Sequence, residues 1–174
     1  TPTNDNTSSY TFSSTEAGNI TYGVCSGSPD NASADNNTIT FDALADGTYS
    51  NCKISVTDNA TNISDNLSVR SFTIDTIAPT LAEETAVTTP SDNTTPSYTF
   101  SSNEAGTISY GGSCSSSTTS ASSGNNSITF NSLSAAAYSN CKISVTDNAS
   151  NKSDNLSVSS FTIDTTAPTV SSTS

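Results

Sequence analysis

The chain has 174 residues, of which 31% are hydrophobic and only 11% are charged, and its formal net charge is −12. With 16 acidic residues against 4 basic ones, nucleic acid is not an expected partner, because its phosphates would be repelled. The absence of His and the presence of only 4 Cys nearly exclude the usual catalytic and zinc-binding constellations. No apolar run reaches the roughly 18 residues that a membrane span needs, so membrane insertion is not expected.

An internal repeat is the most informative feature of the sequence. The string YSNCKISVTDNA at 49–60 recurs unchanged at 138–149, an offset of 89 residues. Each copy is therefore about the size of one small domain. We expect two tandem modules, residues 1–78 (module 1) and 79–174 (module 2). Because the repeat pattern continues to both ends, we also expect the two copies to belong to a longer array.

Apolar residues alternate with polar ones in both copies, which indicates strands that bury every second side chain. Ser, Thr and Asn fill many other positions and favour strands and turns over helix interiors. In immunoglobulin lettering, strands B, C, E, F and G are predicted in copy 1 near 8–13, 19–24, 37–42, 48–57 and 66–75, and strand A in copy 2 near 81–87. About seven short strands per module predict an all-β chain of two immunoglobulin-like β-sandwiches.

Three places in the copies depart from the alternation. The polar stretch 26–36 has no period and predicts a crossover between two sheets. A step of three between Val69 and Phe72 predicts a β-bulge that restores the buried face. The segment 44–49 predicts the corner at which a Tyr opens strand F. The matching corner before Tyr138 lacks the Gly, so a looser or differently shaped turn is expected there.

The cysteines occur as one pair per module at the same spacing. Cys25 and Cys52 are 27 residues apart, and so are Cys114 and Cys141. In this fold the end of strand C lies near the start of strand F, so each pair is expected to form a disulfide. Closing such a loop stabilises a domain by roughly 3–4 kcal/mol in the chain-entropy model. Disulfides imply an oxidising, extracytoplasmic setting. The alternative is a pair of free thiols in a reducing cytosol.

Several short motifs recur in a fixed order: YTFSS then EAG, the corner DGTY of copy 1, VTDNA before strand G, and DTxAPT at the junction. With these motifs the chain resembles the bacterial immunoglobulin-like tandem repeats of large secreted and cell-surface adhesin-type proteins. The resemblance covers nearly the whole chain and implies a spacer or adhesive stalk anchored to a cell surface. The chain departs from that family at 59–62, where it reads NATN, and in its disulfides, which are not general there.

Acidic residues are expected to gather at the junction of the modules. In an immunoglobulin sandwich the N-terminus, the B–C loop and the F–G loop lie at the same end. Module 2 carries Glu104 in its B–C loop and Asp147 at the start of its F–G loop, and Asp75 ends strand G of module 1. Three carboxylates with few basic residues nearby favour a hard cation with oxygen ligands, and we predict calcium. Bound calcium would fix the angle between adjacent modules.

Module 1 is expected to present the equivalent half-site with Glu16 and Asp58, joined by Asp5 upstream, while Asp164 is expected to serve a further module. An alternative interpretation explains the same residues without a metal, because Asp and Asn are favoured in turns where their side chains bond nearby amides. The sequence contains neither EF-hand spacing nor a nonapeptide calcium repeat. Both interpretations therefore stay open.

The predicted function is that of a structural spacer at the cell surface, with neighbouring identical modules as partners. A glycan- or protein-binding adhesive module is the first alternative, and a subunit of a polymeric surface filament is the second. A filament would need an edge strand free to pair between chains. No enzymatic activity is expected, since the acids are dispersed over loops and no Trp is present to line a sugar-binding cleft.

Overall fold

The computed structural model describes residues 2–172, and the regular structure of that range is entirely β-strand. No helix that could cross a membrane is found in this part of the chain. The strands of module 1 are β1 Pro2–Thr3, β2 Ser9–Ser14, β3 Gly18–Tyr22, β4 Gly27–Ser28, β5 Asn31–Ala32, β6 Asp35–Phe41, β7 Gly47–Tyr49, β8 Lys53–Asp58, β9 Leu67–Ser68 and β10 Phe72–Ile74.

Module 2 repeats most of these strands and adds one at its start. Its strands are β11 Leu81–Thr85, β12 Ser97–Ser102, β13 Gly106–Gly111, β14 Ser120–Ala121, β15 Gly124–Thr129, β16 Ala136–Tyr138, β17 Lys142–Thr146, β18 Leu156–Ser157 and β19 Phe161–Ile163. The chain divides into two compact units, Thr1–Ile77 with Asn148–Ser150, and Ala78–Asp147 with Asn151–Ser174.

The sheets of each module have the order expected of an immunoglobulin-like β-sandwich. In module 2 one sheet has the order β11-β12-β15, which is A-B-E, and the other has the order β14-β13-β17-β18, in which C, F and G are neighbours. In module 1 the corresponding sheets are β2-β6-β4 and β5-β3-β8-β9. The pairings within these four sheets are all antiparallel. The predicted fold class is confirmed.

The crossover predicted at 26–36 is also confirmed. It contains two very short strands that pair with different sheets, since β4 pairs with β6 and β5 pairs with β3. The chain therefore passes from one sheet to the other within this polar stretch. Its polar composition suits a segment that runs along the outside of the sandwich.

Strands F and G are broken where the sequence predicted a continuous strand F and a bulge in strand G. The first part of strand F, β7, pairs with β10, whereas the second part, β8, pairs with β3 and β9. Val69 lies in the gap between β9 and β10, is buried, and donates its amide to the Cys52 carbonyl at 2.9 Å. The change of parity thus arises because both strands change sheets together, and not from a bulge.

The corner before strand F keeps the same tyrosine bond in both modules but differs at the Gly position, which agrees with the prediction of a differently shaped turn in module 2. Gly47 has φ +150°, whereas Ala136, which takes its place, has no positive φ. The Tyr49 hydroxyl donates to the Ala45 carbonyl at 2.9 Å, and the Tyr138 hydroxyl donates to the Ser134 carbonyl at 3.0 Å. This is the tyrosine corner found in many immunoglobulin-like domains. The acceptors are backbone carbonyls, which any residue supplies, so the tyrosine bond itself does not require the Gly of copy 1.

Each module has its own apolar core. In module 1, Phe72 stacks between Phe41 and Tyr49, with ring centroids 5.7 and 5.4 Å away. Both predicted disulfides are present, with Cα atoms 5.3 Å apart for Cys25–Cys52 and 5.2 Å apart for Cys114–Cys141. All four half-cystines are buried, so the disulfides belong to the cores themselves and add to a small set of large apolar residues.

Candidate functional site: the acidic loops

The B–C loop holds its glutamate in the same way in both modules. The Ser14 hydroxyl donates to the Glu16 carbonyl at 2.7 Å, and the Ser102 hydroxyl donates to the Glu104 carbonyl at 2.6 Å. The backbone of this loop is therefore closed by a short side-chain bond, and in module 2 the Asn103 side chain also donates to the Glu104 carboxylate at 3.4 Å.

The glycine that follows this glutamate brings strands C and F into close approach. A Cβ atom on Gly18 would collide with the Thr57 carbonyl, and one on Gly106 would collide with the Thr146 carbonyl. Gly18 is also the residue that pairs with Asp58 across strands β3 and β8. The Gly of the EAG motif is thus required by packing, and it places the B–C loop beside the start of the F–G loop.

The F–G loop is organised around an aspartate. In module 1 one oxygen of Asp58 accepts the amides of Ala60 and Asn62, and the other accepts the Asn62 side chain, all at 2.8 Å. Thr61, with φ 70°, adopts the left-handed conformation that closes the loop. These bonds are the turn chemistry that the sequence offered as an alternative to calcium. They use the carboxylate without exhausting its lone pairs.

The same hydrogen bonds lower the pKa of this aspartate. The Asn62 side chain, and then the Asn62 amide, hold the pKa of Asp58 below its ordinary value. In module 2 the same loop is closed by the Asn151 amide and side chain, which donate to the Asp147 carboxylate at 2.8 and 2.9 Å. Both loops therefore hold their aspartate carboxylate in a fixed position.

The two loops of one module place their acidic residues together. In module 2 the Glu104 and Asp147 carboxylates approach within 4.8 Å of each other. In module 1 Glu16 and Asp58 line the same open surface cleft. Two carboxylates at this distance repel each other unless a cation lies nearby, and their oxygens are the ligands that calcium uses.

The remaining predicted ligands also bond to their own backbone. Asp75 accepts the Ile77 amide at 3.3 Å, and Asp164, its repeat equivalent, accepts the Thr166 amide at 2.9 Å. Asp5 similarly accepts the Thr7 amide at 2.9 Å. These bonds fit turn residues. The role of Asp75 with Glu104 and Asp147, and that of Asp164 and Asp5, stay predictions.

One polar cluster in module 2 was not anticipated from the sequence. Glu83, on strand β11, accepts the Ser159 amide at 2.9 Å and the Ser159 hydroxyl at 2.6 Å. Partial burial by itself would raise the pKa of Glu83. The hydrogen bonds from Ser159 have the larger opposite effect, so the pKa of Glu83 lies below its ordinary value. The Tyr98 hydroxyl is buried close by without a hydrogen bond of ordinary geometry, and burial, together with Glu83, raises the Tyr98 pKa. The only sequence signal was that Glu83 shares a strand face with Leu81.

The chain was compared with protein-family models, curated proteins and solved structures. No protein-family model matches the chain, and no curated protein matches it. Among solved structures it is similar to the fibronectin(III)-like modules of Clostridium thermocellum CbhA, with 11% sequence identity and a TM-score of 0.44 over 93% of this chain and 87% of that chain. A likeness this distant carries no argument about function, and the resemblance to adhesin-type repeats is not tested by it.

Proposed function

We propose that the chain is a structural spacer of an extracellular surface protein, built from interchangeable modules. The observation that carries the proposal is that the tyrosine corner and the F–G loop are held by the same hydrogen bonds in both modules. A surface selected for one ligand would differ between copies, whereas a spacer needs only the same rigid unit repeated.

Calcium is the proposed stabiliser of the junction between modules. The pairing of Glu104 and Asp147 within module 2 supports it, as does the scarcity of basic residues that could neutralise them. Two carboxylates supply only part of the six to eight oxygens that calcium takes, so further ligands are needed. Asp75, at the end of strand G of the preceding module, is the third protein ligand that the sequence predicts.

The proposed location is the cell surface or the extracellular space, and the proposed role is non-catalytic. Two buried disulfides support the location, because such bonds persist in oxidising compartments. An adhesive module that binds a glycan or a protein is the alternative, but no single observation favours it.

The proposal is tested by titrating the 174-residue protein with calcium in a calorimeter, alongside two variants of equal charge. Glu104→Gln removes one predicted ligand, whereas Glu84→Gln removes an exposed carboxylate from strand β11 and serves as the control. We expect the Glu104 variant to bind calcium at least about tenfold more weakly, because a charged ligand is lost. The control should bind as the wild type does.

Small-angle scattering of the same samples reports on rigidity. Calcium should narrow the range of shapes of the wild type but not of Asp75→Asn. If the wild type binds no calcium at millimolar concentration, or if both glutamate variants lose affinity equally, the calcium site is wrong. The acidic residues would then serve only the turns, and the spacer would depend on its linker and its disulfides.

A further inference from the structure

Module 1 holds its chain in place beyond the last residue of strand G. Strand β10 ends at Ile74, and residues 75–77 follow it as the last residues of the first compact unit. The Asp75 amide donates to the Thr3 carbonyl at 3.0 Å, and the Ile77 amide donates to the Asp75 carboxylate at 3.3 Å. Hydrogen bonding therefore continues past the end of the strand.

The shortest contacts to these residues come from the corner before strand F. One oxygen of the Asp46 carboxylate accepts both the amide and the hydroxyl of Thr76, each at 2.9 Å. The two residues are 30 positions apart in sequence, so the contact is tertiary and is not part of a local turn. Hydrogen bonds to a carboxylate are roughly twice as strong as those between neutral groups.

Asp46 is itself held in place by the residues on either side of it. The Tyr49 hydroxyl bonds the carbonyl of Ala45, the residue before Asp46, at 2.9 Å. Gly47, the residue after Asp46, pairs with Ile74 where β7 meets β10. Because its backbone is already fixed on both sides, the Asp46 carboxylate loses little further freedom when it accepts a hydrogen bond.

Module 2 has no counterpart of this carboxylate. The repeat places Ala135 at the position of Asp46 and Thr165 at the position of Thr76. An alanine side chain cannot accept a hydrogen bond, so the corner of module 2 cannot hold its threonine in this way. The bond within the turn does recur, because the Asp164 carboxylate accepts the amide two residues later at 2.9 Å. The turn is thus common to both modules, whereas the contact from the corner belongs to module 1.

We propose that Asp46 is a positioning residue, which holds residues 75–77 in one conformation and thereby fixes the Asp75 carboxylate at the end of module 1. Successive residues are then bonded one after another, and the middle bond depends on a side chain that module 2 lacks. The ordering of residues 75–77 stands by itself, whereas its consequence for a metal ligand rests on the proposed calcium site. A carboxylate that is already fixed costs less entropy to recruit, so Asp46 strengthens calcium binding without contacting the ion.

Nuclear magnetic relaxation of the 174-residue protein without calcium tests the positioning itself. Asp46→Ala removes the acceptor, and Asp42→Ala removes an exposed carboxylate from the segment that leads into the same corner, so it is a control of equal charge. We expect the backbone order parameters of Thr76 and Ile77 to be about 0.85 in the wild type and in the control, and below about 0.6 in the Asp46 variant.

The same spectra separate positioning from a general loss of stability. The order parameters of the β3 amides, which lie inside their sheet, should be unchanged in all variants, because they report on the native state and not on the fraction that is folded. Asp46→Asn keeps a side-chain oxygen that can accept two hydrogen bonds, so it should retain most of the order at Thr76 and Ile77.

Calcium titration in a calorimeter tests the consequence for Asp75. Asp46→Ala should bind calcium about three- to tenfold more weakly than Asp42→Ala, because the two variants have the same charge and only the first releases Asp75. Asp46→Asn should bind within about twofold of the Asp42 control, since it loses the charge but keeps the positioning.

Two results would overturn the positioning role. The first is an order parameter at Thr76 and Ile77 that stays the same in Asp46→Ala, and the second is an equal loss of order in Asp42→Ala, which would assign the effect to charge. Calcium binding that is equally weak in Asp46→Ala and Asp46→Asn would overturn the consequence for the metal ligand. If the wild type binds no calcium, the calcium junction and that consequence both fail, whereas the order parameters, measured without the metal, still decide the role of Asp46.

Discussion

Removal of one disulfide tests how much each module depends on its cross-link. The double substitution Cys25→Ala and Cys52→Ala opens the loop in module 1, and Cys114→Ala with Cys141→Ala opens the equivalent loop in module 2. Both loops span 27 residues. The loop-closure relation therefore gives the same loss for each, roughly 3.5 kcal/mol at 25 °C.

Hydrogen exchange measured by mass spectrometry is the assay, because it reports on each module separately. Amides of β3 report on module 1 and those of β13 on module 2, since both strands lie inside their sheets. A loss of roughly 3.5 kcal/mol corresponds to about a 400-fold drop in protection of amides that exchange by unfolding of the module. The protection factors of the wild-type amides give the free energy of unfolding of each module, against which the variants are compared.

The two variants also act as controls for each other. Equal loops should give equal losses, although the cores around them differ. A drop of less than about tenfold in either module would refute the loop-closure reasoning. A drop that differs by more than about tenfold between the modules would mean that packing around the buried half-cystines, and not loop length, determines the contribution.

Two further predictions concern the loops. Gly106→Ala forces a Cβ atom against the Thr146 carbonyl and should destabilise module 2 by about 1–3 kcal/mol in urea unfolding. Gly111→Ala serves as the control and should be tolerated, because its Cβ atom would lie 3.7 Å from the Lys142 Cβ. Equal effects of the two substitutions would contradict the close-approach argument. The lowered pKa of Asp58 means that its contribution to stability is present above the ordinary Asp value of about 3.9 and is lost as the pH falls through the folded-state pKa. Between pH 7 and pH 2.5 the wild type should therefore lose more stability than Asp58→Asn, and parallel losses would show that the Asn62 bonds do not favour the ionised form.

The positions of the acidic residues in the candidate site could be predicted from the sequence, but most of their hydrogen bonds could not. Loop positions follow from the fold, so Glu104 and Asp147 were predicted to meet, and they lie within 4.8 Å of each other. The sequence predicted that Asp58 and Asp147 bond to nearby amides, because Asp and Asn are favoured in turns, but it did not predict which amides they accept. Which amide each oxygen accepts depends on the left-handed residue of the loop, and its position could not be read from the residue types.

The sequence by itself determined the strands, the repeat and the disulfides. Alternation of apolar residues has the period of a strand, and the equal spacing of the Cys pairs matches the distance from strand C to strand F. These features are local or repeated, so they can be recognised in the sequence without knowledge of how the strands pack.

Only the tertiary structure decided which partners each strand has. Strands F and G change sheets together at Cys52 and Val69, because a backbone bond joins the two gaps. Strand β11 pairs with β12 in module 2, whereas within residues 2–172 the equivalent strand β2 of module 1 pairs with β6 alone. In this range the repeat-equivalent residues Tyr10 and Tyr98 are half-buried and fully buried, respectively. Burial depends on neighbours that are distant in sequence, so a pattern of residue types cannot specify it.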